Sequence, residues 1–167
     1  TITFLIATAG TFLYMAGNNT TLLSAFFQVM SASTTAGFNT VPLGNLPCSA
    51  LLVLIIAMVI GASPSGTGGG IKTTSISALA GVVSSIIKGQ PQNVSFLKRT
   101  IPTYRVFTAV AASTVYVSTL LIGIYLLTLT EAFDFISLSF EAASALGTVG
   151  LSMGITPTIT PLGKIIL

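Results

Sequence analysis

Residues 34–40 read TTAGFNT, and residues 147–153 read GTVGLSM. Each string follows a mildly apolar run rich in Ser and Ala: TTLLSAFFQVMSAST (20–34) and FDFISLSFEAASALG (133–147). A fully helical run of that length reaches only about 22 Å, short of a hydrocarbon core of about 30 Å. Both runs are therefore expected to be re-entrant helices that enter a membrane and turn back. Non-helical backbone at membrane depth persists only where protein buries it or where it lines a water-filled cavity.

The two loops align when the chain is shifted by 113 residues. Ser24 then falls on Ser137, Phe27 on Phe140 and Gln28 on Glu141. Ser31 and Ala32 fall on Ser144 and Ala145, Thr35 on Thr148, and Gly37 on Gly150. After a six-residue change of offset, Pro42-Leu43-Gly44 matches Pro161-Leu162-Gly163. The expected repeat is a helix, a short helix, a Thr-x-Gly turn, Pro-Leu-Gly and another helix.

The composition supports a membrane setting. Of 167 residues, 52% are hydrophobic and only 5% charged, with no His. A soluble domain carries roughly 25% charged residues. An ordinary soluble enzyme, a nucleic-acid partner and a disordered tail are thereby excluded. Cys48 is the one cysteine, so neither a disulfide framework nor a zinc or haem site is expected.

Spans flank the loops. Residues 1–16 read as the end of a spanning helix, and 49–62 as a strongly apolar but short one. Residues 104–129 give the cleanest span, and 162–167 the first turns of another. The stretch SPSGTGGG (63–70) should break the helix, because Pro64 cannot continue a regular one. Residues 71–88 then resume a helical pattern. The apolar runs at both ends of the chain suggest an internal piece of a longer membrane protein.

Charge gives orientation. Lys88, Lys98, Arg99 and Arg105 lie in or beside the 88–103 linker, which the positive-inside rule makes cytoplasmic. Glu131 and Asp134 then lie outside, and both loops enter from that side.

The side chains of the turns offer almost nothing to catalysis, so no enzyme activity and no organic cofactor are expected. The backbone offers more. Gly reaches φ/ψ regions closed to other residues, so a Thr-x-Gly stretch can aim successive carbonyl oxygens one way. Rings of such oxygens can replace the hydration shell of K⁺. A helix ending at the turn adds its C-terminal partial negative charge. The expected filter residues are Thr35, Ala36, Gly37 and Phe38 in one loop, and Thr148, Val149, Gly150 and Leu151 in the other.

TTAGFNT (34–40), GASPSGTGGGIKTT (61–74) and FEAASALGTVGLSMGITP (140–157) resemble the Trk/Ktr/HKT superfamily of potassium transporters, most closely the Ktr-type membrane subunit. The resemblance implies an all-α membrane protein of four repeated M1–pore loop–M2 units with re-entrant pore helices, as in potassium channels. Residues 1–88 look like the second unit, and 89–167 like most of the third. The family's filter glycine maps onto Gly37 and Gly150, and Gly there is associated with K⁺ over Na⁺. The resemblance further implies a multi-pass plasma-membrane protein. It would form a homodimer docked on a cytosolic nucleotide-binding ring, with K⁺ as cargo and Na⁺ as a coupling or regulatory ion.

Other features admit two readings each. GTGGGIKTT (66–74) invites a phosphate-loop reading, but Ile71 separates Gly70 from Lys72 and a membrane span precedes it, so a break in M2 is preferred. Lys72 either snorkels to the cytoplasmic interface or lines an inner cavity. Glu141 and Gln28 are expected to hold the filter from behind, Asp134 to cap its helix, and Asn39 to cap the first turn or simply occupy it. The competing functions are a K⁺-conducting pore, a secondary transporter with broken helices for another cation such as Na⁺, and a membrane scaffold.

Overall fold

A computed structural model describes residues 2–17, 21–61, 68–89, 94–96 and 99–167. The chain is helical. Helix α1 (Ile2–Gly17) is followed by α2 (Leu22–Ser33), a single 3-10 turn (Leu43–Asn45) and α3 (Cys48–Val59). Then come α4 (Thr73–Ile87), α5 (Thr103–Thr130), α6 (Phe135–Leu146) and α7 (Pro161–Ile166). The span expected over 49–62 stops at Val59, and the helical pattern resumes at Thr73. Pro64 and the other residues of 62–67 lie outside the described residues, as does Lys98.

One detail departs from an all-α chain. Ser95–Phe96 pairs antiparallel with Arg99–Thr100 as a two-residue ribbon, β1 and β2. The Ile101 N–H extends it by donating to the Val94 carbonyl at 2.8 Å. The expected linker thus carries a short ribbon. The β-branched Val94, Thr100 and Ile101 favour extended backbone, and Pro102 cannot serve a helix interior but suits the start of α5.

Among the described residues, α5 is the helix long and apolar enough to cross a membrane. Its 28 residues make about 42 Å. Its large apolar side chains point outward: Phe107, Val115, Leu121 and Leu129 are all exposed. In water such a surface would be costly, whereas in lipid it is the ordinary outer face. Helices α2 and α6, by contrast, are short and largely buried: α6 is covered on all sides from Leu138 to Ser144, and α2 buries Ala25, Gln28, Val29 and Ala32. Thr21 caps α2 by accepting the Ser24 N–H at 3.4 Å, and Thr160 caps α7 by accepting that of Gly163 at 3.2 Å. Asp134 stands at the start of α6, yet its carboxylate makes no capping bond. The expected Asp134 cap is therefore absent.

The main core joins the two halves of the chain. Tyr14 of α1, Val29 of α2, and Leu54 and Met58 of α3 pack with Phe140 of α6 and with Val149 and Leu151 beyond it. A second cluster, Leu127 with Leu138 and Ala142, binds α6 to α5. The ends of α2 and α6 are thereby brought to the same place.

Candidate functional site

Helices α2 and α6 end in the same way. Past Ser33, the Thr35 N–H returns to the Ala32 carbonyl at 3.3 Å and the Ala36 N–H to the Ser31 carbonyl at 2.9 Å. Past Leu146, the Thr148 N–H returns to Ala145 at 3.0 Å and the Val149 N–H to Ser144 at 2.9 Å. Each pair of bonds is a Schellman motif, which satisfies carbonyls left over at a helix C-terminus. That motif needs a left-handed residue, usually Gly. Here it is Thr in both turns, with φ of 57° at Thr35 and 54° at Thr148. A β-branched residue in this region is an outlier and stores strain. Gly37 and Gly150, two residues on, are left-handed as well, with φ of 76° and 86°. Sequence reasoning named Thr35 and Thr148 but gave the unusual backbone to the glycines, and so missed the strain on the threonines. Their identity at one offset was the available signal.

The two turns lie side by side. A Cβ built on Gly37 would strike the Val149 carbonyl oxygen, with the Gly150 Cα next to it at 3.5 Å. Glycine is required at 37 by both the positive φ and this contact. A Cβ on Gly150 meets nothing within 4 Å.

The segment after each turn is tied back to the helix before it. Gln28 is fully buried, and its Oε1 accepts the Thr40 N–H at 3.2 Å and the Thr40 hydroxyl at 3.4 Å. Glu141, only 4% exposed, stands 113 residues later. Its Oε1 accepts the Met153 N–H and the Ser152 hydroxyl, both at 2.8 Å, and its Oε2 accepts the Thr156 hydroxyl at 3.0 Å. Thr40 and Met153 are themselves matched positions. A buried carboxylate with three donors is well compensated, whereas the neutral amide makes fewer bonds. The Gln28 Nε2 has no partner among the described residues. Ser152, Thr40 and Thr156 were not foreseen, because hydroxyls in a Ser- and Thr-rich chain carry no distinctive pattern.

The loops also differ. Val149 and Leu151 bury their side chains, while Phe38, the counterpart of Leu151, is exposed. The Phe38 carbonyl accepts the Ser31 hydroxyl at 2.6 Å. The Asn39 amide donates to the Val41 carbonyl at 3.4 Å, a bond within the segment after the turn. Lys72 lies just before α4, and its ammonium donates to the Gly68 carbonyl.

Left-handed turns at helix C-termini, packed together and backed by buried polar groups, can present main-chain oxygens to a cation. Comparisons with known proteins place the chain in a family. A family model described as TrkH, cation transport protein, matches residues 1–167. The chain is 35% identical over 146 residues to the Ktr system potassium uptake protein B of Bacillus subtilis, covering 87% of this chain and 32% of that protein. It is 40% identical over 145 residues to the protein of the same name from Vibrio alginolyticus, covering 87% and 31%. It is also 31% identical over 170 residues to the potassium/sodium uptake protein NtpJ of Enterococcus hirae, covering 99% and 38%. The chain thus spans about a third of the length of these curated relatives.

Proposed function

The chain belongs to the TrkH family of cation transport proteins, as its three motifs implied, and on that premise we propose that it forms part of a channel-like pore for potassium uptake. Helices α2 and α6 are its re-entrant pore helices. The backbone oxygens of Thr35, Ala36, Gly37 and Phe38, and of Thr148, Val149, Gly150 and Leu151, contribute to the selectivity filter. The observation that carries this reading is the pair of identical left-handed turns lying against each other. A filter built from main-chain carbonyls needs such turns around one axis. Two turns cannot enclose an ion, so other loops of the full-length protein complete the ring.

On this reading, residues 1–88 are the second of four M1–pore loop–M2 units, and 89–167 belong to the third. The turns face outside and the 88–103 linker faces the cytoplasm of a plasma-membrane protein. Gln28 and Glu141 brace the filter, and Asn39 belongs to the segment leaving it. The full-length subunit pairs with a second copy on a cytosolic nucleotide-binding ring.

A second reading, in which Na⁺ is also carried or coupled, is favoured by the relative named for potassium/sodium uptake. Both are tested in the full-length protein with Gly37→Ser and Gly150→Ser. Rubidium uptake should lose its preference over Na⁺ in each. Unchanged affinity and selectivity in both variants would overturn the filter assignment.

A further inference from the structure

The stretch Gly68–Ile71 belongs to neither turn, yet it reaches one of them. Beyond Val59, the described chain folds back across the end of α3. The Ile71 N–H donates to the Val59 carbonyl at 2.9 Å. Gly70 takes φ of +80°, and a Cβ there would press on Gly61 and the Met58 carbonyl. The Lys72 ammonium holds the Gly68 carbonyl. From this position the Gly69 N–H donates to Thr148 Oγ1 at 3.0 Å, across 79 residues of sequence. A Cβ on Gly69 would run into the Gly147 carbonyl oxygen and crowd the Thr148 hydroxyl. Only glycine allows main chain to lie this close to the turn.

The matching hydroxyl in the first loop is held differently. Thr35 Oγ1 donates to the neighbouring Thr34 carbonyl at 2.7 Å. The two turns therefore share a backbone but differ in what fixes the threonine. At Thr148 the strained residue is anchored from outside its own loop.

We propose that Gly69 is a positioning residue for ion selection: its N–H fixes the Thr148 hydroxyl and thereby the left-handed turn of residues 147–150. This rests on reading that turn as part of the ion pathway. Selectivity then depends on a glycine that touches no ion.

The test is a double-mutant cycle in the full-length protein, with rubidium uptake competed by Na⁺ and normalised to protein in the membrane. Gly69→Ala and Thr148→Val should each lower the K⁺/Na⁺ preference roughly tenfold, the scale of one lost hydrogen bond at a strained site. Thr148→Ser should restore most of it. The double variant should be no worse than the poorer single one, because both act through one contact. Additive losses, or an unchanged preference in Gly69→Ala, would overturn the proposal. Should Gly69→Ala fail to reach the membrane, Thr148→Val is compared with Thr35→Val. The larger loss at Thr148 is expected, and equal losses would overturn the proposal. Gly37→Ser and Gly150→Ser are measured in parallel. If neither changes the preference, the filter reading itself falls. If they do and Gly69→Ala does not, only the positioning role falls.

Discussion

Glu131 and Thr160 are joined by two bonds, the Glu131 Oε1 accepting both the main-chain N–H of Thr160, at 3.0 Å, and its hydroxyl. Thr160 in turn caps α7 through Gly163. The end of α5 is thereby fastened to the start of α7. Gly163 leaves room for this bond: a Cβ there would displace the Glu131 carboxylate and the Ile159 side chain. Glu131→Ala should cost about 1–2 kcal/mol, the scale of a lost helix cap, while Glu131→Gln keeps an acceptor and should cost less. Thermal unfolding of the full-length protein in detergent measures both, and an unchanged melting temperature in Glu131→Ala would show that the fastening is unimportant.

Thr35→Gly should make the protein more stable and a poorer selector. The left-handed conformation costs a β-branched residue about 1–2 kcal/mol, which glycine avoids. The hydroxyl that bonds to Thr34 is lost at the same time. A raised melting temperature together with reduced K⁺ preference is expected; a lowered melting temperature would contradict the strain.

Gly37→Ala should be more damaging than Gly150→Ala. Both change a left-handed glycine, but only the Cβ at 37 meets main chain, the Val149 oxygen. Ion uptake by the two variants, normalised to protein in the membrane, ranks them, and the reverse order would mean that the two turns are not in contact.

Glu141→Leu should abolish uptake by leaving the Met153 N–H and the hydroxyls of Ser152 and Thr156 without their acceptor. Each bond to a charged group is worth about 1.5–3 kcal/mol. Glu141→Gln keeps one acceptor oxygen, enough for two of the three bonds, and should retain folding with weaker uptake. Size-exclusion profiles and uptake separate the two, and a well-folded, active Glu141→Leu would remove the bracing role.

Helix placement was legible from hydropathy, length and the positions of Gly and Pro. The short α2 and α6 could be read because their apolar runs are too brief to span. Main-chain geometry was less accessible. Nothing in a Thr codon announces a positive φ; at Thr35 and Thr148 the surrounding hydrogen bonds impose it. The bond from Gly69 to Thr148 was illegible for a different reason. It joins positions 79 residues apart through a backbone N–H, which leaves no mark in side-chain pattern. The ribbon at 95–100 was too short for an alternating signal. The position of Asp134 was correctly read, but a residue type suited to capping does not oblige its side chain to cap.

The turns at 34–37 and 147–150 have one backbone shape but are written in different residues, with a neutral amide behind the first and a carboxylate behind the second. In a pore made of identical chains, every inherited change is copied around the whole ring at once. In the pore proposed for this chain, a single codon alters one turn and leaves the other untouched. Variants can therefore accumulate by small, separate steps, and a flaw in one turn can be offset in the other within the same gene.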